Sequence, residues 1–228
     1  MSLIIGIDRC KSGWFAVWQN QDEAIETAIF QSMNNLKDFF IKSNQLIIGI
    51  DMPVILSEVM PREADQLARK LLGKKASSIF TAPTPEMLEQ PNYEKASLVS
   101  KKLIGKSMSL QSWYLFPKIR DVQTVLHHED IKIFEIHPEV SFRAMNNENV
   151  IIESKKTAEG FKIRKFLLDK HFLNFNFDAI RNKYQKKDVM DNDILDALVV
   201  LWSTKRIVNN QALYLPEKPE KLNMQIVY

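Results

Sequence analysis

The run Leu3-Ile-Ile-Gly-Ile-Asp8 recurs as Leu46-Ile-Ile-Gly-Ile-Asp51. Each copy is short, apolar and rich in β-branched residues, which reads as a buried strand. Each also delivers an aspartate as the run ends. A carboxylate in that position loses hydration and needs a cation, a hydrogen-bond donor or a proton. One aspartate after a strand also serves as a turn former or helix cap. Two strands of the same wording point instead to neighbours in one sheet that feed a shared site.

The intervening chain says how the two strands are related. Lys11-Ser12-Gly13 makes a turn, Trp14 to Trp18 a second strand, and Ala24 to Phe30 a third that completes a meander. Ser32 caps a helix over Met33 to Lys42 with Leu36, Phe39 and Phe40 on one side. A helical crossover of this kind sets the fourth strand parallel to the first.

After Pro53 the spacing predicts a helical segment from Val54 to Gly73, interrupted at Pro61. Arg62, Asp65 and Arg69 recur on one face of it, as a surface ion-pair stripe or as one wall of the site. Lys74 to Pro85 is a Ser-, Thr- and Pro-containing loop whose hydroxyls bond either a phosphate or their own backbone. Glu86 to His128 reads as two or three helices, including Tyr93 to Ile104 and Leu110 to Val125. These form an insertion beside the sheet, with Trp113, Tyr114 and Phe116 as core and Lys118 and Arg120 as ligand contacts.

Ile131 to Ile136 is a strand carrying Glu135 in its second half. His137 follows, either a metal ligand or proton acceptor or a histidine bonded to backbone, and Pro138 suits the first turn of a helix through Met145. Thr157 starts a helix to about Asp169, and Lys155 and Lys156 before it make an anion-binding arrangement. Phe172 to Lys183 holds another short helix. From Ile194 to Trp202 only Asp196 is not apolar, so that helix is buried nearly all round. Asp193 and Asp196 share its face, and two buried anions at that spacing require a cation between them or a proton on one. Leu213 to Tyr228 reads as an arm ending in an edge strand, packed on the core or on a second subunit.

At 228 residues, 45% hydrophobic and 26% charged, the chain fits one globular domain, residues 1–228, with an insertion at about 54–128. A net charge of +3 is too small to imply nucleic acid by itself. One cysteine excludes an intramolecular disulfide framework and a multi-cysteine zinc site. The absence of a signal-peptide pattern or bilayer-length apolar run sets the expectation of a cytoplasmic protein.

The order strand-strand-strand-helix-strand, with aspartates ending the first and fourth strands, resembles the ribonuclease H-like fold: an α/β mixed central sheet flanked by helices, here with a helical insertion after the fourth strand. Gly6-Ile-Asp8 with Gly13-Trp14, Ile50-Asp51-Met-Pro53, Arg62 with Asp65 and Arg69, and Ser78-Ile-Phe80 with Ala82-Pro83 carry a closer resemblance. So do Glu135-Ile-His137-Pro138-Glu139 with Phe142, Lys155-Lys156-Thr157 with Gly160, and Asp193-Ile-Leu-Asp196-Ala197. Together they resemble the domain-of-unknown-function 429 family, predicted ribonuclease H-like nucleases. The final Asp-x-x-Asp-Ala-Leu is also similar to the metal-binding helix of Holliday-junction resolvases. That likeness implies Asp8, Asp51, Asp193 and Asp196 as metal ligands, with Glu135 a further catalytic acid.

Carboxylate oxygens suit Mg²⁺ or Mn²⁺. The expected activity is two-metal phosphodiester hydrolysis of DNA or RNA, with Arg62, Lys118, Arg120, His137, Lys155 and Lys156 contacting substrate. The alternatives are a phosphatase or small-nucleotide hydrolase on the same fold, and a non-catalytic module that binds nucleic acid or protein.

Overall fold

The computed structural model describes residues 2–221 and 224–228. Its centre is a mixed sheet of seven strands in the order β3-β2-β1-β4-β5-β7-β6. The first hairpin pairs β1 (Leu3–Cys10) with β2 (Gly13–Gln19), and β3 (Ile25–Phe30) lies antiparallel on β2. Ser32 caps α1 (Met33–Phe39), accepting from the Asn35 N–H, and the crossover brings β4 (Leu46–Ile50) parallel to β1. The two copies of the repeated run lie side by side in register, Leu3 opposite Leu46 and Ile7 opposite Ile50. Asp8 therefore lies within its strand, opposite Phe15, and not at the strand's end. Asp51 comes one residue past β4, its N–H bonded to the Ile7 carbonyl at 3.1 Å.

Side-chain alternation then sorts the core. Ile5, Ile7, Ile48 and Ile50 face one side, under α1 and the insertion. Gly6, Asp8, Gly49 and Asp51 fall on the other, which α10 (Asp191–Val208) covers. A Cβ on Gly6 would meet the Leu201 nitrogen at 2.3 Å and the Ala197 carbonyl at 2.4 Å; one on Gly49 would meet Thr204 Oγ1 at 2.0 Å. The repeated glycine thus has a packing reason: the helix lies directly on two strands that offer no side chain there. Buried nearly all round, α10 is flanked by α7 (Pro138–Met145), α8 (Ala158–His171) and α9 (Phe177–Arg181).

The insertion differs from the expected one in two places. Residues 54–62 are not helical, and α2 runs only Glu63–Leu72. Pro53 and Pro61 bracket the irregular stretch, whose backbone is tied down instead: the Val54 N–H donates to Glu135 and the Ile55 carbonyl accepts from Arg62. A 3₁₀ turn (Gly73–Ser78) follows, then α3 (Pro85–Leu88) and α4 (Tyr93–Ile104). The expected Leu110–Val125 helix is two, α5 (Leu110–Trp113) and α6 (Phe116–Gln123), because Pro117 restarts the helix in its first turn. Phe116 is core, Trp113 packs against it, and Tyr114 is exposed. Phe39 is likewise exposed, stacked edge-on against Phe40.

Strand β5 (Ile131–Ile136) lies parallel to β4. The C-terminal arm packs back on the core, but its last strand is not an edge: β7 (Ile226–Val227) lies between β5 and β6 (Tyr214–Leu215), and β6 forms the edge. Residues 222 and 223 of the arm lie outside the described residues. Among the described residues, no helix is long and apolar enough to cross a membrane.

Candidate functional site

Docking α10 on the two glycines brings its own acids to Asp8 and Asp51. Asp196 is almost wholly buried on the sheet side of the helix, and Asp193 stands one turn nearer the helix start. One Asp193 oxygen closes the helix cap, accepting from the Met190 N–H at 2.9 Å, and the other accepts from Asn192 at 2.8 Å. Asp8 accepts the Arg9 N–H at 2.7 Å. Asp196 Oδ2 pairs with Lys155, whereas Oδ1 is buried without a partner.

Burial first, then the like charges of Asp196 and Asp51, hold the Asp8 carboxyl well above its ordinary range; Lys155 pulls the other way. Burial also raises Asp51, against the opposing charges of His137 and Lys155. It raises Asp193 too, against the Met190 hydrogen bond. Burial disfavours the charge on Lys155, but Asp196 and Asp8 more than offset this and hold the amine protonated.

Lys155 is placed by a relay of buried contacts. Glu139 grips Arg164 through both carboxylate oxygens, at 2.8 and 2.9 Å. Arg164 donates to the Glu153 and Gly160 carbonyls, and Gly160 leaves room for the Ser154 carbonyl, which a Cβ would meet at 2.1 Å. The lysine-bearing turn is thereby pressed onto α8. Glu139 and Arg164 had no signal beyond the Glu-containing motif and a charged helix, because the pairing spans 25 residues.

Not every expected residue joins this cluster. Glu135 is in register with Ile50, so it projects from the opposite face to Asp51. There it binds Arg62 at 2.6 and 2.8 Å, and Arg62 also binds Asp65 at 2.7 Å. All five guanidinium N–H directions of Arg62 are committed inside a buried network, so it is a clasp for the 52–62 segment and not a free substrate contact. Arg120 donates to the Leu88 carbonyl, and the Lys118 ammonium rests 4.5 Å from the Trp14 ring centre. His137 faces the Ser78 carbonyl at 3.3 Å through Nε2 while Nδ1 is buried and unpartnered, and its charge acts on Asp51. Lys156 stays exposed beside Lys155. Arg9, next to Asp8, was missed: its charge favours the ionised forms of Asp51 and Asp193. Cys10 lies on the Asp8 face, but burial pushes its thiol up to about 11, so it stays protonated at neutral pH.

The donors are hard oxygens, and the partnerless Asp196 Oδ1 suits a small divalent cation. As the side chains stand, however, no three His, Cys, Asp or Glu among the described residues are arranged to hold a metal ion. Lys155 supplies the positive charge instead.

Residues 6–221 match the family model described as protein of unknown function (DUF429), and the chain belongs to that family. No curated protein matches it. No solved structure matches it either.

Proposed function

Taking that membership as premise, we propose that the chain is a ribonuclease H-like, metal-dependent nuclease. The strand order β3-β2-β1-β4-β5 with β2 reversed, and a final acidic helix laid over β1, support the fold reading. The observation that carries the activity is the gathering of Asp8, Asp51, Asp193 and Asp196 around one lysine, with a buried carboxylate oxygen left unsatisfied. Such a cluster needs cations or protons, and a divalent ion would bring more charge than the single lysine does.

Asp8, Asp51, Asp193 and Asp196 would hold Mg²⁺ or Mn²⁺, which supplies Lewis acidity and an activated water for phosphodiester hydrolysis. The chain's own part is to fix these acids on buried elements, Asp8 within β1, Asp51 just past β4, and Asp193 and Asp196 on α10. Lys155, Lys156 and Arg9 would meet the phosphate of a substrate at this cluster. His137 lines the same small recess as Asp51, its Nδ1 without a hydrogen-bond partner.

The test is calorimetric titration of Mn²⁺ and Mg²⁺ into wild type and Asp8→Asn, with DNA and RNA cleavage assayed on the same samples. Metal binding and cleavage lost together in the variant are the expected result. Metal binding without cleavage of either nucleic acid moves the substrate to a small phosphoester. No metal binding by wild type, with nucleic acid present, overturns the reading.

A further inference from the structure

A cavity lies between the loop at Ile79–Pro83 and the insertion helices. Its volume is about 350 Å³, within the range of small-molecule sites. No Asp or Glu lines it, although the chain carries 28 acidic residues. Two cations do, Arg69 and Lys106, with Ser77, Ser107, Ser112 and Gln111 as further hydrogen-bonding groups. Thr81, Ser100 and Ser109 add further hydroxyls, and Phe80, Met87, Met108 and Phe116 give the wall an apolar, partly aromatic stretch.

Arg69 is only partly occupied. One terminal nitrogen donates to the Ile79 carbonyl at 2.6 Å and to Thr81 Oγ1 at 3.2 Å, while its Nε is buried without a partner. A cleft with positive charge, hydroxyl donors and apolar, partly aromatic lining complements a ligand with an anionic head and a planar, polar-edged body. Ile79 and Phe80 also line the small recess that reaches Asp51 and His137, so the cleft adjoins one edge of the acidic cluster at Asp51.

We propose that this cleft binds a nucleotide unit, its phosphate held by Arg69 and Lys106 and its base laid against Phe80 and Met108. The unit comes either from a free nucleoside monophosphate or from one residue of a strand. The site is separate from the acidic cluster and does not rest on the nuclease reading.

The test is calorimetric titration of AMP, CMP, inorganic phosphate and a single-stranded ten-nucleotide DNA into metal-free wild type, Asp8→Asn, Lys106→Glu and Ser107→Trp. Lys106 and Ser107 are exposed, so these changes leave the core intact. The expected result is binding of a mononucleotide or the oligonucleotide more tightly than inorganic phosphate. That binding weakens at least tenfold in Lys106→Glu and Ser107→Trp and is unchanged in Asp8→Asn. Mononucleotide binding identifies a free ligand; binding of the oligonucleotide alone identifies a unit of a strand. No nucleotide binding by wild type, or binding that both cleft variants leave unchanged, overturns the proposal. Because Asp8→Asn separates the two sites, a failed metal titration does not count against the cleft.

Discussion

The ammonium of Lys155 lies against the Asp196 carboxylate, and among the described residues it is the one cation at ion-pair distance from any of the four clustered acids. Lys155→Met strips that counter-charge. Breaking a fully buried pair costs about 3–5 kcal/mol, but the Lys155 side chain is 33% exposed, and solvent screening reduces the figure. We expect a loss of about 1–3 kcal/mol in metal-free urea unfolding on that basis. Mn²⁺ should stabilise the variant more than wild type, since the metal then meets no competing cation. An unfolding curve identical to wild type in EDTA would dismiss the lysine's role.

Acidification should stabilise the metal-free protein, opposite to the usual trend. Burial raises Asp8, Asp51 and Asp193 above the ordinary carboxylate value of 3.8. Between that value and the raised ones the folded state holds more protons than the unfolded state, so stability falls as pH rises. Burial raises Glu135 as well, which adds in the same direction. The melting temperature should therefore climb as pH is lowered from about 7 to about 5, and climb less in Asp8→Asn, which has no proton to gain there. Equal slopes in the two proteins would show that Asp8 is ionised in the fold.

Gly6→Ala places a methyl group 2.3 Å from the Leu201 backbone nitrogen, where no side-chain rotation relieves it. The expected cost is about 3 kcal/mol or more. Gly105→Ala is the control. Its φ is +70° with nothing within 4 Å, so only the left-handed backbone opposes it, at about 1 kcal/mol. Comparable losses at the two positions, by chemical unfolding, would refute the close docking of α10.

Arg62→Met leaves Glu135 and Asp65 buried without their cation. We expect a loss of about 3–5 kcal/mol. Adding Glu135→Gln should recover part of it, because one uncompensated charge is removed. Strict additivity of the two changes in a double-variant cycle would contradict the coupling.

The reach of the sequence follows from how local each cue is. Asp193 and Asp196 were legible because helical spacing puts both on one face, and the repeated run made Asp8 and Asp51 neighbours. Glu135 was grouped with them by its place along its strand, but which face it takes depends on its parity against Ile131 and Ile133, both core-facing on the insertion side. Arg62 showed its helix face but not its partner 73 residues away. Lys155 was marked as an anion contact from its position before a helix. That the anion is Asp196 depends on the turn being pressed onto α8 by Arg164, which no short window contains. The glycines of the repeat were read as part of a strand, whereas their value lies in the helix that rests on them.

That helix also times the site's appearance. Strand β1 is made before α10, so a growing chain carries Asp8 and Asp51 before it has Asp193 and Asp196. The acidic cluster forms only when residues far apart along the chain, Asp8 and Asp196, have found each other. Such long-range pairing is slow, because chain-closure entropy must be overcome before the contacts form. An incomplete or misfolded copy therefore lacks the cluster altogether, and whatever chemistry it supports is withheld until the core has closed.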